Sequence, residues 1–94
     1  MASSKDYLEF VLDQLSALDE ITYKAMMGEY IIYYKGKIVG GIYDDRFLIK
    51  QTDASKRILS DAPLELPYEG AKPMFVVDPE NRELLKTLFN AMVG

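Results

Sequence analysis

Ninety-four residues are fewer than two independently folding units usually need, and a net charge of −4 argues against a surface built throughout for nucleic acid. The chain has neither cysteine nor histidine, which removes disulfides, thiolate metal sites, the commonest zinc ligand and the commonest general base near neutral pH. A hydrophobic share of 49%, with seven tyrosines and four phenylalanines, is enough to form a core, so one ordered domain spanning 1–94 is expected.

From residue 5 to 18 the apolar side chains Leu8, Val11, Leu12, Leu15 and Leu18 recur every three or four positions, the period of an amphipathic helix. Ser3 or Ser4 can cap it, and Asp6 and Glu9 lie near its positive end. Residues 21–51 are rich in β-branched and aromatic types, punctuated by Met27-Gly28, Lys35-Gly36-Lys37 and Asp44-Asp45. Four strands are predicted there, at 22–26, 30–34, 37–43 and 46–51, the last three forming an antiparallel meander. Gly40 and Gly41 interrupt the third of these and predict a bulge or a close backbone approach.

Thr52-Asp53 then reads as the start of a short helix over 54–59, ended by Ser60-Asp61-Ala62-Pro63. Residues 64–73, with Pro67 and Pro73, are predicted to be mostly irregular, and Met74-Phe75-Val76-Val77 to be a short buried strand. Asp78-Pro79-Glu80 supplies a cap, a first-turn proline and a first-turn acid for a closing helix carrying Leu84, Leu85, Leu88, Phe89 and Met92. Two amphipathic helices flanking a mostly antiparallel sheet of four to five strands must bury their apolar stripes on it, which predicts an α+β fold with helices on one face.

The opening residues lack the layout of a signal peptide, and no apolar run approaches the roughly 20 residues that span a bilayer. A cytoplasmic location without membrane contact is therefore expected. Nucleophilic catalysis needs a base held against the nucleophile, and only carboxylates such as Glu29, Asp44 and Asp45 remain for an enzyme of small-molecule or metal-assisted type. Turn chemistry is the preferred account of the Asp44-Asp45 pair, since aspartate tolerates turn conformations and bonds its own backbone. No calcium-loop or phosphate-cradling spacing is present, so no cofactor, metal or catalytic residue is assigned.

Charge is unevenly distributed. Residues 21–58 hold seven bases and four acids, whereas the segments on either side are acidic. Lys24, Lys35, Lys37, Arg46, Lys50 and Arg57 interleave there with Tyr23, Tyr30, Tyr33, Tyr34, Tyr43 and Phe47, types that can contact phosphates and stack on bases. The competing reading puts the lysines on solvent faces and sheet edges and the aromatics in the core. Tyr30, Tyr33, Tyr34 and Tyr43 can alternatively leave an apolar sheet face that pairs with a second copy.

The run Tyr23-Lys24-Ala25-Met26-Met27-Gly28-Glu29-Tyr30, followed by Tyr33-Tyr34-Lys35-Gly36-Lys37 and by Gly40-Gly41-Ile42-Tyr43-Asp44-Asp45-Arg46-Phe47-Leu48-Ile49-Lys50, resembles the N-terminal domain of the TfoX/Sxy family of bacterial competence regulators. Lys24 matches the basic position, Met26, Gly28 and Tyr30 keep theirs, and Gly36, Lys37, Asp45 and Lys50 follow the turn and strand signature. Met27 replaces the usual phenylalanine and Glu29 the second glycine. The chain resembles the short form, without the C-terminal domain of the longer relatives. The resemblance implies a non-enzymatic co-regulator of DNA-uptake genes working with a DNA-binding transcription factor. The expected interaction residues are Lys24, Met27, Glu29 and Tyr30 around the 26–30 turn, with Arg46 and Lys50 on neighbouring strand positions. Direct nucleic-acid binding by the basic middle and a carboxylate enzyme are the alternatives.

Overall fold

The computed structural model describes residues 3–93. Its first element is helix α1, Lys5–Gln14, capped by Ser4, whose Oγ accepts the Tyr7 N–H at 3.1 Å. The predicted helix reached Leu18, but the Leu15 N–H divides between Val11 O and Leu12 O, both at 3.1 Å, and the chain leaves the helix in a run of tight turns. Leu15 and Leu18 still pack on the core, so the apolar period outlasts the helical backbone.

Four strands follow: β1 Ile21–Met26, β2 Glu29–Tyr34, β3 Lys37–Tyr43 and β4 Arg46–Ile49. Each is joined to the next by two residues at positive φ: Met27-Gly28, Lys35-Gly36 and Asp44-Asp45. That conformation matches the right-handed twist of antiparallel strands, and aspartate tolerates it at the third turn. Helix α2, Asp53–Ile58, has a reciprocal cap in which the Ser55 N–H donates to Thr52 Oγ1 and the Thr52 N–H donates to Ser55 Oγ. The same Ser55 hydroxyl donates to Lys50 O at 2.7 Å, which ends β4 before the predicted Gln51.

Strands β5, Leu64–Glu65, and β6, Met74–Val76, complete a six-stranded antiparallel sheet in the order β1-β2-β3-β4-β6-β5. The sheet therefore exceeds the expected four to five strands by β5, a two-residue edge strand lying between prolines in a stretch predicted to be irregular. Helix α3, Arg82–Val93, starts later than the Asp78 cap predicted. Asp78 instead accepts the Glu80 N–H at 2.9 Å in a turn of its own, and Asn81 caps the helix by accepting the Leu84 N–H at 3.4 Å.

All three helices contribute to a single core. Leu8 and Val11 from α1, Leu59 after α2, and Leu85, Leu88 and Phe89 from α3 pack on Ile32, Tyr34, Ile42, Phe47, Ile49 and Phe75. Those sheet residues share one face by strand alternation and register, and burying each large apolar side chain contributes about 1.5–3 kcal/mol. The α+β reading is thus correct. Gly40 and Gly41 fulfil both expectations: β3 bulges there against β2, with Val39 as the extra residue, and neighbouring backbone approaches closely. A β-carbon at Gly41 would lie 2.6 Å from Tyr30 O and 2.7 Å from the Tyr43 ring, and one at Gly40 would strike Leu48 O. No helix among the described residues is long and apolar enough to cross a membrane.

Candidate functional site: the open face of the sheet

The face turned away from the helices carries Lys24 and Met26 of β1, Glu29, Ile31 and Tyr33 of β2, Tyr43 of β3, and Arg46 and Leu48 of β4, as alternation and register require. No helix covers it, and it leaves Met26 and Ile38 about half exposed. Between Met26, Met27, Glu29, Ile31, Tyr43 and Tyr68 lies a groove of about 510 Å³, lined mainly by apolar atoms. Its floor is set by Gly41, the register partner of both Ile31 and Leu48, because the absent side chain there leaves room for the Tyr43 ring.

Two polar assemblies hold the walls. At one end Glu29 Oε2 accepts the Ser3 hydroxyl at 2.9 Å and the Asp44 N–H at 3.0 Å, while the Asp45 N–H donates to Ser3 Oγ at 3.2 Å. The Ser3 N–H donates to Gly28 O at 2.9 Å and the Ser4 N–H to Asp45 Oδ1 at 2.8 Å. The segment before α1 is thereby tied to two hairpin turns. At the other end Arg46 Nε donates to Tyr43 O at 3.1 Å, Nη1 pairs with Glu65 Oε1 at 2.6 Å, and Nη2 donates to Leu66 O at 3.2 Å. That fork fixes the irregular chain after β5 and so places Tyr68 beside Tyr43, with ring centroids 6.2 Å apart. Burial, then neighbouring Tyr68 and the Glu29 carboxylate, push the Tyr43 phenol above its usual value of 10.0.

The six residues singled out from sequence are spread over this structure. Met27 and Glu29 line the groove, Lys24 stands on the same face opposite Ile31, and Arg46 is one of the groove's struts. Tyr30 is on the other face, edge-on to Tyr23 at 5.9 Å and packed on the core. Lys50 is exposed at the opposite end of β4, where its N–H donates to Val39 O. Met26, Ile31, Tyr43 and Tyr68 complete the groove and were not among the six. Alternation along the strands points to the first three, but Tyr68 arrives through the pairing of β5 and the Arg46 fork, for which the sequence has no local signal.

The aromatics of the basic middle do not share one surface. Tyr34 is buried, donating its hydroxyl to Asn90 Oδ1 at 2.8 Å, and Phe47 packs edge-on to Phe89. Neither can stack on a base, and the four tyrosines considered for one dimer face divide between the two sides of the sheet. Among the described residues no three acidic side chains converge as metal ligands. Glu29 and Asp45 spend carboxylate oxygens on backbone and serine donors.

A six-stranded antiparallel sheet with helices on one side and an apolar groove on the other defines an α+β domain. The TfoX N-terminal domain model matches residues 13–87, and the chain belongs to that family. Membership suggests a competence-related regulatory role, in a family of regulatory domains and not of known enzymes. The chain is also similar to the uncharacterized 12.7 kDa protein in the trpE 5′ region of Spirochaeta aurantia, with 34% identity over 98 aligned positions that cover 98% of this chain and 85% of that protein.

Proposed function

We propose that the protein is a non-enzymatic regulatory module that binds a DNA-binding transcription factor through the open face of its sheet. The observation that carries this reading is the groove between Met26, Met27, Ile31, Tyr43 and Tyr68, an uncovered apolar surface on a domain whose other face is filled by helices. Exposed apolar surface of this kind marks interaction sites, and methionines let such a surface adapt to its ligand. A chain with a net charge of −4 favours a basic partner, as DNA-binding proteins are, over DNA itself. Arg46, which braces one wall of the groove, is already committed to Glu65 and Leu66.

The test compares cross-linked partners of the wild type with those of Tyr68→Glu, an exposed position outside β1, and of Lys50→Ala at the far end of the sheet. A basic transcription factor that is lost with Tyr68→Glu and kept with Lys50→Ala supports the reading. Equal capture by all three proteins sinks it. Amide shifts on adding a short DNA duplex, clustered between Lys24 and Lys50 and falling steeply with salt, would replace it with direct DNA binding.

A further inference from the structure

We infer that two copies of this chain join through β1, edge to edge, into a continuous twelve-stranded sheet. The inference is independent of the groove, because β1 presents its outer edge and not its face.

Strand β1 ends the sheet with β2 as its single neighbour. The Lys35 N–H donates to Glu20 O at 3.1 Å, so Glu20 and Lys35 form a hydrogen-bonded pair one step beyond the Ile21–Tyr34 register. Antiparallel pairs alternate between bonded and non-bonded. Thr22, Lys24 and Met26 therefore spend their backbone groups on β2, and Ile21, Tyr23 and Ala25 point theirs outward. Edges are usually blunted by brevity, proline, bulges or several charges. This one has six residues, no proline, no bulge against β2 and Lys24 as its single charge, a guard that acts only where the ammonium has no room to stand aside from a partner.

The edge is complementary to itself. A two-fold axis through Tyr23 sets Tyr23 against its own copy and Ile21 against Ala25 of the second copy, so that all three outward residues bond. Thr22 then faces Lys24 of the second copy on the open side, so that no two like charges stand directly opposite. Moving the axis to Lys24 would oppose two ammonium groups, and moving it to Thr22 would pair Ala25 with Asp19, outside the strand. The chosen register also brings the Met27-Gly28 turn of each copy opposite Asp19 of the other. Asp19 lies on the rim of a groove of about 660 Å³ whose lining mixes Ser16, Glu20 and Thr22 with Leu12, Leu18 and Tyr23.

An interface of one strand and the turn that follows it lies at the small end of the range for specific complexes, so the expected association is reversible. Sedimentation of the wild type over a concentration series should show a monomer–dimer equilibrium. Ala25→Pro removes an outward N–H from an edge, where proline is tolerated, and should weaken the dimer about tenfold or more while circular dichroism stays unchanged. A second measurement does not depend on that variant folding. Because the chain has no cysteine, Tyr23→Cys places single thiols beside the axis, about 5.5 Å apart at Cα in a bonded pair, a separation a disulfide spans. Mild oxidation should give a covalent dimer with Tyr23→Cys and not with Ile38→Cys. A wild type that stays monomeric at every concentration overturns the inference and leaves the edge to a strand of another protein. Equal cross-linking at positions 23 and 38, or a dimer undiminished in folded Ala25→Pro, overturns it as well.

Discussion

The two faces of one sheet are made from the same strands and the same residue types, yet they have been put to different uses. On the helix side Ile32, Ile42, Phe47 and Ile49 are at most 1% exposed and packed beneath α1 and α3. On the other, alternate residues of the same strands stay in water, with Met26 at 45% and Ile38 at 46% exposure. Leu48 is the exception, fully buried yet outside the main core cluster. Apolar character thus does not separate the faces. Coverage by helices does, with Leu48 as the one residue named on the open face that is buried without it.

The sharpest test of this contrast is a pair of truncations. Phe89→Ala, which empties the centre of the covered side, is expected to cost about 3–5 kcal/mol in urea unfolding, whereas Met26→Ala on the open side should stay within about 0.5 kcal/mol. A comparable loss from both would mean that the open face is part of the fold's support. Next in size is Gly40→Ala. Its β-carbon meets backbone, not a movable side chain, so a loss of about 1–3 kcal/mol is expected. Glu29→Ala leaves the Asp44 N–H without its acceptor and the Ser3 hydroxyl with only the longer contact to Ile42 O at 3.4 Å, and should cost about 1–2 kcal/mol. Amide exchange near Ser4 and Asp45 should quicken in that variant, and unchanged exchange would show that the clip does not hold the turns together.

The smallest effect concerns alkali. Tyr7 and Tyr43 have phenols raised above 10.0, in both cases mainly by burial, with Asp45 and Asp78 adding to it at Tyr7, and Tyr68 and Glu29 at Tyr43. Their folded values exceed their unfolded ones, so the folded state holds their protons more tightly. The associated stability is complete below pH 10 and is lost as the pH climbs through the folded values. Absorbance titration should show phenol ionisation continuing above pH 10, and Tyr43→Phe should reduce that late component. A late component that Tyr43→Phe leaves unchanged would contradict the enclosed position of Tyr43 beside Tyr68.

Much of the fold was legible because its signals are local. Apolar residues at helical spacing marked α1 and α3, two-residue turns marked the meander, and Thr52-Asp53 marked α2. The errors arose where two local signals competed or where none existed. Asp78 and Asn81 are both good caps, and a turn closed by Asp78 left the helix to Asn81. Strand β5 exists through its pairing with β6, at Glu65↔Met74 and Leu64↔Phe75, and two residues cannot announce a strand. A third of the groove was singled out in the same sense. Met27 and Glu29 followed from their turn, but Tyr68 depends on Arg46 reaching across to Glu65 and Leu66. Ser3, taken only as a candidate cap, is buried against Glu29 through a contact spanning 26 positions of the chain.

The three two-residue turns also bear on the order in which the molecule assembles. Strands joined so closely meet at small sequence separation, and little loop-closure entropy opposes their pairing. The β1–β4 meander is therefore expected to form early, as one cooperative unit. Strand β6 must find β4 across α2 and β5, and Ser3 must find Gly28, Glu29 and Asp45 after the turns that present them exist. Ser3 and Ser4 are then expected to close the structure last, and their contacts are the natural place for it to begin to open.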